Sequence, residues 1–177
     1  MVMEYAKDGN LKNHLKNNFN NITWIKRISI INDITKSLKS IHSSGLIHKD
    51  LHSSNILIHD DYTFIDDLGL CTPKIQNNNN DSNLLYGVMP YVAPEVLKGN
   101  QFTMKSDIYS FGMIMYEMIT SLPPYHDYNW DENLLRDICD GIRPKIPEGI
   151  PNCYKELMTK CWSQNPEDRP NADYLAK

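Results

Sequence analysis

The stretch "SDIYSFGMIMYEMITS", residues 106 to 121, is apolar on nearly every face. A helix that presents apolar side chains all the way round has to be enclosed. The segment is therefore read as a helix at the middle of a domain, with the other elements packed around it. Asp107 near its start complements the helix dipole, and Pro123 and Pro124 end it. Its continuous apolar run, 111 to 119, is less than half of what a bilayer needs and contains Glu117. The enclosure is protein.

What surrounds this helix follows from apolar periods and from stops. Leu11 and Leu15, four apart in "DGNLKNHLKNN", predict a short amphipathic helix. From Ile22 to His42, Trp24, Ile25, Ile28, Ile31, Ile34, Leu38 and Ile41 recur every three or four positions, and Gly45 follows as a stop. Two more helices are expected over 131–141 and 152–162, divided by the proline-rich "RPKIPEGIP". The asparagine-rich run at 75–83 buries nothing and is expected to be a flexible loop. No internal repeat is visible, and 177 residues at 41% hydrophobic suffice for one core and one domain. The expected fold is mainly α with a small β hairpin.

Charge and cysteine usage narrow the function. A net charge of -4 leaves no basic footprint for nucleic acid or anionic lipid. The amino terminus reaches charge within four residues and lacks an apolar region of signal-peptide length, which predicts a cytoplasmic protein. Cys71, Cys139, Cys153 and Cys161 form no C-x-x-C pair and are read as free thiols.

The segment "SGLIHKDLHSSNILIHDDYTFIDDLGL", residues 44 to 70, sets five carboxylates and three histidines beside short apolar runs. It reads either as an exposed turn between buried strands, or as two strands, "NILI" and "TFI", holding a polar cluster at the edge of a cleft. Asp60 and Asp61 suit the tight turn between the two runs. His48, Asp50 and His52 alternate in a way that suits a transition metal, as in a metal-dependent hydrolase.

The order of motifs adds a family. "IHKDLHSSNILI" resembles the protein-kinase catalytic loop H-R-D-L-x-x-x-N, and "DLG" at 67–69 stands where that family has D-F-G. "APE" at 93–95, "SDIYSFG" at 106–112 and "PEDRP" at 166–170 follow in the family's order. The chain resembles the protein kinase catalytic domain over essentially its whole length, and most of all the tyrosine-kinase-like branch. The resemblance implies a carboxy-terminal lobe, α+β in class and starting at the hinge between the lobes. Its parts would be a hinge over 1–10, lower-lobe helices and catalytic loop over 11–66, an activation segment over 67–95 and a helical subdomain over 96–177. It also implies transfer of the γ-phosphate of ATP to a protein hydroxyl, with a protein substrate and magnesium, or manganese, as cofactor. Asp50 would take the acceptor's proton, and Asn55 and Asp67 would hold the metal. Asp67 is preferred to Asp66 because the glycine of the motif follows it by two. Met3 falls in the gatekeeper place, Glu4 and Ala6 would offer backbone groups to adenine, and Leu57 would floor the cleft. His48 would be structural, Asp107 would receive backbone N–H groups of the catalytic loop, and Glu95 would pair with Arg169.

The departures from the pattern carry their own expectations. Lys49 replaces an arginine, keeping its charge and losing the bidentate fork. His52 stands where serine/threonine kinases usually carry lysine, and Val88 where they carry threonine. Serine/threonine versus tyrosine choice stays open. The glycine-rich loop, the "VAIK" lysine and its glutamate partner are absent, so the amino-terminal lobe is expected to be missing. By analogy a complete domain needs roughly another 80 to 100 residues upstream. The chain alone is expected to be inactive, and either an upper lobe or a partner would cover the cleft. The alternative is a non-catalytic, pseudokinase-like binding module.

Overall fold

The computed structural model describes residues 9–60, 62–73 and 88–176. Met3, Glu4, Ala6, Asp61 and the run 75–83 lie outside the described residues. The described part is mostly helical, with seven α-helices and two small antiparallel ladders.

Helix α1, Leu11–Asn18, starts where the Asn10 side chain accepts the Asn13 N–H, and it buries Leu11 and Leu15 as the four-residue spacing predicts. A 3-10 turn, Phe19–Asn21, leads into α2, Trp24–Ser43, which is capped by Thr23. Ile22 therefore precedes the helix. The buried stripe of α2 is Arg27, Ile30, Ile31, Ile34, Thr35 and Leu38. Ile25 and Ile28 lie off it, and Ile25 is 84% exposed. Arg27 takes the interior place instead, donating to the carbonyls of Met118 and Phe19 and lying over the Phe19 ring. Those carbonyls include one of the last turn of the central helix, which has no intrahelical donor of its own.

That central helix is α4, Met104–Thr120, after the short α3, Pro94–Leu97. Every residue from Ser106 to Ile119 is buried, as continuous apolarity predicts. The helix starts two residues earlier than expected because Thr103 and Ser106 form a reciprocal capping box. Helices α5, Glu132–Cys139, and α6, Asn152–Cys161, fall inside the expected spans. A last turn of helix, α7, Ala172–Leu175, sits against α2, with Lys39 Nζ 3.0 Å from Asp173 Oδ1.

The expected hairpin forms from β2, Ile56–His59, and β3, Tyr62–Ile65, in the register Ile56↔Ile65 to His59↔Tyr62. Asp60 takes a left-handed turn conformation, φ 52°. A second ladder was not expected: β1, Leu46–Ile47, pairs with β4, Thr72–Pro73. It closes the loop that contains the polar cluster. All four cysteines are unpaired, and no described helix is long and apolar enough to cross a membrane.

Gly112 sets how closely α6 approaches α4. A Cβ there would lie 3.0 Å from Cys161 Cβ and 3.1 Å from the Trp162 backbone nitrogen. Alanine would gain about 1 kcal/mol of helix propensity, whereas overpacking a tight core costs about 1–3 kcal/mol. The obstructing atoms are backbone and Cβ, which cannot swing aside, so the loss wins. Gly112→Ala is expected to lower the urea midpoint, followed by circular dichroism; an unchanged midpoint would show that α6 shifts freely on α4.

Candidate active site

Asp107, in the first turn of α4, is only 1% exposed. Its carboxylate accepts the backbone N–H groups of His48 at 2.9 Å and Lys49 at 3.0 Å, and faces His42 Nε2 at 2.8 Å. Lys49 has φ 74°, which a side-chain-bearing residue adopts only under constraint. The carboxylate supplies that constraint and fixes the loop that follows. The Lys49 ammonium lies 6.0 Å from the centre of the Phe102 ring.

His48 carries the constraint across to the hairpin. Its side chain is wholly buried, and its Nδ1 accepts the Asp50 N–H at 3.3 Å. The other nitrogen, Nε2, must then carry the proton, and it donates to the Asp66 carbonyl at 3.1 Å. Asp66 N–H in turn donates to the Asn55 carbonyl at 2.8 Å. Asp66 is thus held by its backbone, at the open end of the hairpin and opposite Asn55.

Asn55 and Asp50 meet at that open end, and Asp67 follows Asp66 there in the chain. Asn55 Nδ2 donates to the Asp50 carbonyl at 3.0 Å and more loosely to Asp50 Oδ2 at 3.4 Å, which leaves the Asn55 amide oxygen unspent. Asp67 has a left-handed backbone, φ 55°, and an exposed side chain. A Cβ at Gly69 would sit 3.2 Å from Asp67 Oδ1, so the glycine preserves the space around that oxygen. Among the described residues Asp50 Oδ1, which is buried, finds no hydrogen-bond partner. The carboxylates of Asp50 and Asp67 and the Asn55 amide oxygen offer hard, oxygen-only donors. That set suits a hydroxyl proton and a small divalent cation.

His52 completes the cluster. Its Nδ1 accepts the Ser54 N–H at 3.2 Å, placing the proton on Nε2, 3.5 Å from Asp50 Oδ2. The ring packs 6.0 Å from that of Tyr91. The three residues of the proposed transition-metal triplet do not pool lone pairs: both His48 nitrogens are engaged, and the free nitrogen of His52 faces a backbone donor. Among the described residues no group of three or more His, Cys, Asp or Glu could hold a metal ion.

Comparison with known proteins decides what this arrangement belongs to. The family model for protein tyrosine and serine/threonine kinases matches residues 1–177. The chain belongs to the protein kinase family. Relatives include a probable LIM domain-containing serine/threonine-protein kinase of Dictyostelium discoideum, 34% identical over 172 residues, covering 96% of this chain and 26% of the relative. The dual specificity protein kinase zakA of the same organism is 33% identical over 185 residues, covering 96% of this chain and 24% of zakA. A putative serine/threonine-protein kinase/receptor, R826, of Acanthamoeba polyphaga mimivirus is 32% identical over 176 residues, 98% of this chain and 10% of that protein. The chain thus spans about a quarter or less of the length of these relatives.

Two further polar pairs brace the segment around α3 and α4. Arg169, wholly buried, meets Glu95 through two parallel bonds of 2.7 Å and also donates to the carbonyls of Ser163 and Lys105. This is the pair that the resemblance implied. The second pair is absent from the sequence reading: the Tyr91 hydroxyl donates to Glu117 Oε2 at 2.7 Å. Burial pushes both groups' pKa values up. Glu117 stood out in the sequence as a lone carboxylate in a fully buried helix, and such a group needs a donor. His42 was also missed, because its position in the last turn of α2 reads as an ordinary helix end.

Burial lowers the His52 pKa below its ordinary 6.5, while the neighbouring Asp50 charge works against that shift. An NMR titration of the His52 ring is therefore expected to show a midpoint below 6.5. Asp50→Asn should move it lower still, because the opposing charge is gone. A midpoint that rises in the variant would mean that Asp50 does not face the ring.

Proposed function

We propose that this chain is the carboxy-terminal lobe of a tyrosine-kinase-like protein kinase, one that transfers the γ-phosphate of ATP to serine or threonine hydroxyls of protein substrates. The hydroxyl class follows the relatives, most of which are named serine/threonine kinases. The observation that carries the reading is the buried, unpartnered Asp50 Oδ1 at the mouth of the hairpin. Leaving a buried acceptor unsatisfied is costly, and a substrate hydroxyl is the donor it lacks.

In this reading Asp50 Oδ1 orients the acceptor hydroxyl and takes its proton. Asn55 Nδ2 and His52 Nε2 both lie on the Oδ2 side and fix which oxygen remains free. Lys49 has a structural place at the strained turn. The Asn55 amide oxygen and the Asp67 carboxylate fit magnesium, or manganese, as hard oxygen ligands. When bound, the metal neutralises phosphate charge. Leu57, at the centre of β2 and bridged to Asn10, lies on the cleft floor beneath ATP. Residues 1–10 would be the hinge, with Met3, Glu4 and Ala6 facing adenine, 11–66 the lower-lobe helices and catalytic loop, 67–95 the activation segment and 96–177 the helical subdomain. The 177 residues include no glycine-rich phosphate loop, so an upper lobe, in the same chain or supplied by a partner, completes the site.

Phosphoryl transfer depends mostly on positioning and charge stabilisation. The 177-residue chain alone is therefore expected to transfer no phosphate at a useful rate. In a longer chain carrying an upper lobe, Asp50→Asn should lower kcat at least about 100-fold. Asp67→Asn should abolish activity by removing a metal ligand, and Asp66→Asn should largely spare it because Asp66 acts through its backbone. A radiolabelled phosphate-transfer assay checks all three. The reverse order for Asp66 and Asp67 would overturn the ligand assignment, and a longer chain with no activity would favour the binding-module reading.

A further inference from the structure

The connection between α4 and α5 carries an exposed aromatic patch that the phosphate-transfer site does not use. Tyr128 is 41% exposed, Trp130 44% and Ile142 45%. All three are tied to the buried Tyr125. Its ring meets Tyr128 edge-on at 5.8 Å, its carbonyl accepts the Trp130 Nε1–H at 3.2 Å, and its hydroxyl donates to the Ile142 carbonyl at 2.9 Å. Tyr125 itself sits at φ 56°. All three residues are therefore mounted on one fixed point. Large aromatic side chains held rigidly in water are what binding surfaces are made of, since little entropy remains to be lost when they are covered.

The charge within the run that carries the two rings is of one sign. The run Asp127-Tyr128-Asn129-Trp130-Asp131-Glu132 interleaves three carboxylates with the two aromatic rings, and all six residues are exposed. Among the described residues none of the three carboxylates has an ion-pair partner. Arg143, which could have neutralised them, is turned inward onto the carbonyls of Ile138, Ile142 and Trp162 and onto Gln164. Arg136 and Lys145 stand outside the run. Such a surface repels nucleic acid and anionic lipid. It attracts cations, and ring faces beside carboxylates favour guanidinium and ammonium groups above all.

We propose that the Tyr128–Trp130–Ile142 surface, with its rim of Asp127, Asp131 and Glu132, docks an arginine- or lysine-rich segment of a partner protein. Cationic heads lie over the Tyr128 and Trp130 rings and against the carboxylates, while their aliphatic stems cover Ile142. The contact is separate from phosphate transfer, so binding to the 177-residue chain can be measured without any activity.

The test is a fluorescence anisotropy titration of the 177-residue chain with a short labelled peptide of alternating arginine and alanine, and with a control in which glutamate replaces arginine. Saturable binding of the arginine peptide alone is expected. It should weaken about tenfold in Tyr128→Ala/Trp130→Ala, weaken comparably in Asp127→Asn/Glu132→Gln, and decline with added salt. Asp131 is left in place because its side chain caps α5. The charge pair lies wholly on the surface, so it tests the proposal even if the aromatic pair perturbs folding. No saturable binding, equal binding of the glutamate peptide, or indifference to the charge pair would overturn the proposal. So would sedimentation showing a dimer that Trp130→Ala dissolves, which would make the patch a contact between copies of this chain.

Discussion

One buried carboxylate, that of Asp107, joins three segments whose apolar packing alone would leave them free to slide. It stands at the start of the central helix and binds the backbone of His48 and Lys49 on one side and the ring of His42 on the other. A left-handed residue other than glycine costs roughly 1–2 kcal/mol. Hydrogen bonds to a charged group contribute about 1.5–3 kcal/mol each, so the two backbone bonds outweigh the strain at Lys49. The carboxylate is tolerable in the interior for the same reason: three donors and the helix amino terminus surround it. Removing it would leave two backbone N–H groups without partners and the turn with no reason to stay strained.

From that anchor the order passes outward through groups with only one workable partner. The His48 ring has its tautomer chosen by Asp50 N–H and so must donate to Asp66. Asp66 in turn is clamped to Asn55 across the hairpin. The result is a loop whose backbone is over-determined while one carboxylate oxygen, on Asp50, is left without a partner. An isolated orphan of this kind would be a defect. Here Asn55 Nδ2 and His52 Nε2 both lie on the Oδ2 side, which leaves Oδ1 as the open acceptor of that carboxylate. The segment before α4 is fixed in the same way, with Glu95 held by Arg169 and Tyr91 by Glu117.

The central helix was legible in the sequence because complete burial leaves a continuous apolar signature, and the hairpin because two β-branched runs flank a turn. Asp50, Asn55 and Asp67 stood out through motif spacing; the structure bonds Asn55 to Asp50 and sets Asp67 just past the end of β3. Other features left no local trace. The β1–β4 ladder joins two-residue strands far apart in the chain, and α3 and α7 are single turns, too short to show a period. In α2 the later stripe of Ile31, Ile34 and Leu38 is buried as the period predicts, whereas in the first two turns Arg27 claims the interior face and Trp24, Ile25 and Ile28 are turned out. His42–Asp107 and Tyr91–Glu117 span 65 and 26 residues, and spacing rules do not reach that far.

The division between what was legible and what was not follows from the kinds of force involved. Hydrophobic burial is non-directional and roughly proportional to area. It can place a helix in a core, and it writes itself into the sequence as a pattern, but it cannot choose among several equally packed arrangements of a loop. The loop from His48 to Asn55 has to hold one arrangement, with a strained turn and an unsatisfied oxygen in it. Only directional bonds to groups of fixed geometry can select that arrangement. Those groups are drawn from α2, α4 and the far strand of the hairpin, because a loop cannot brace itself. The loop from His48 to Asn55 is therefore specified largely by residues outside it, so its geometry depends on the packing of α2 and the hairpin around α4.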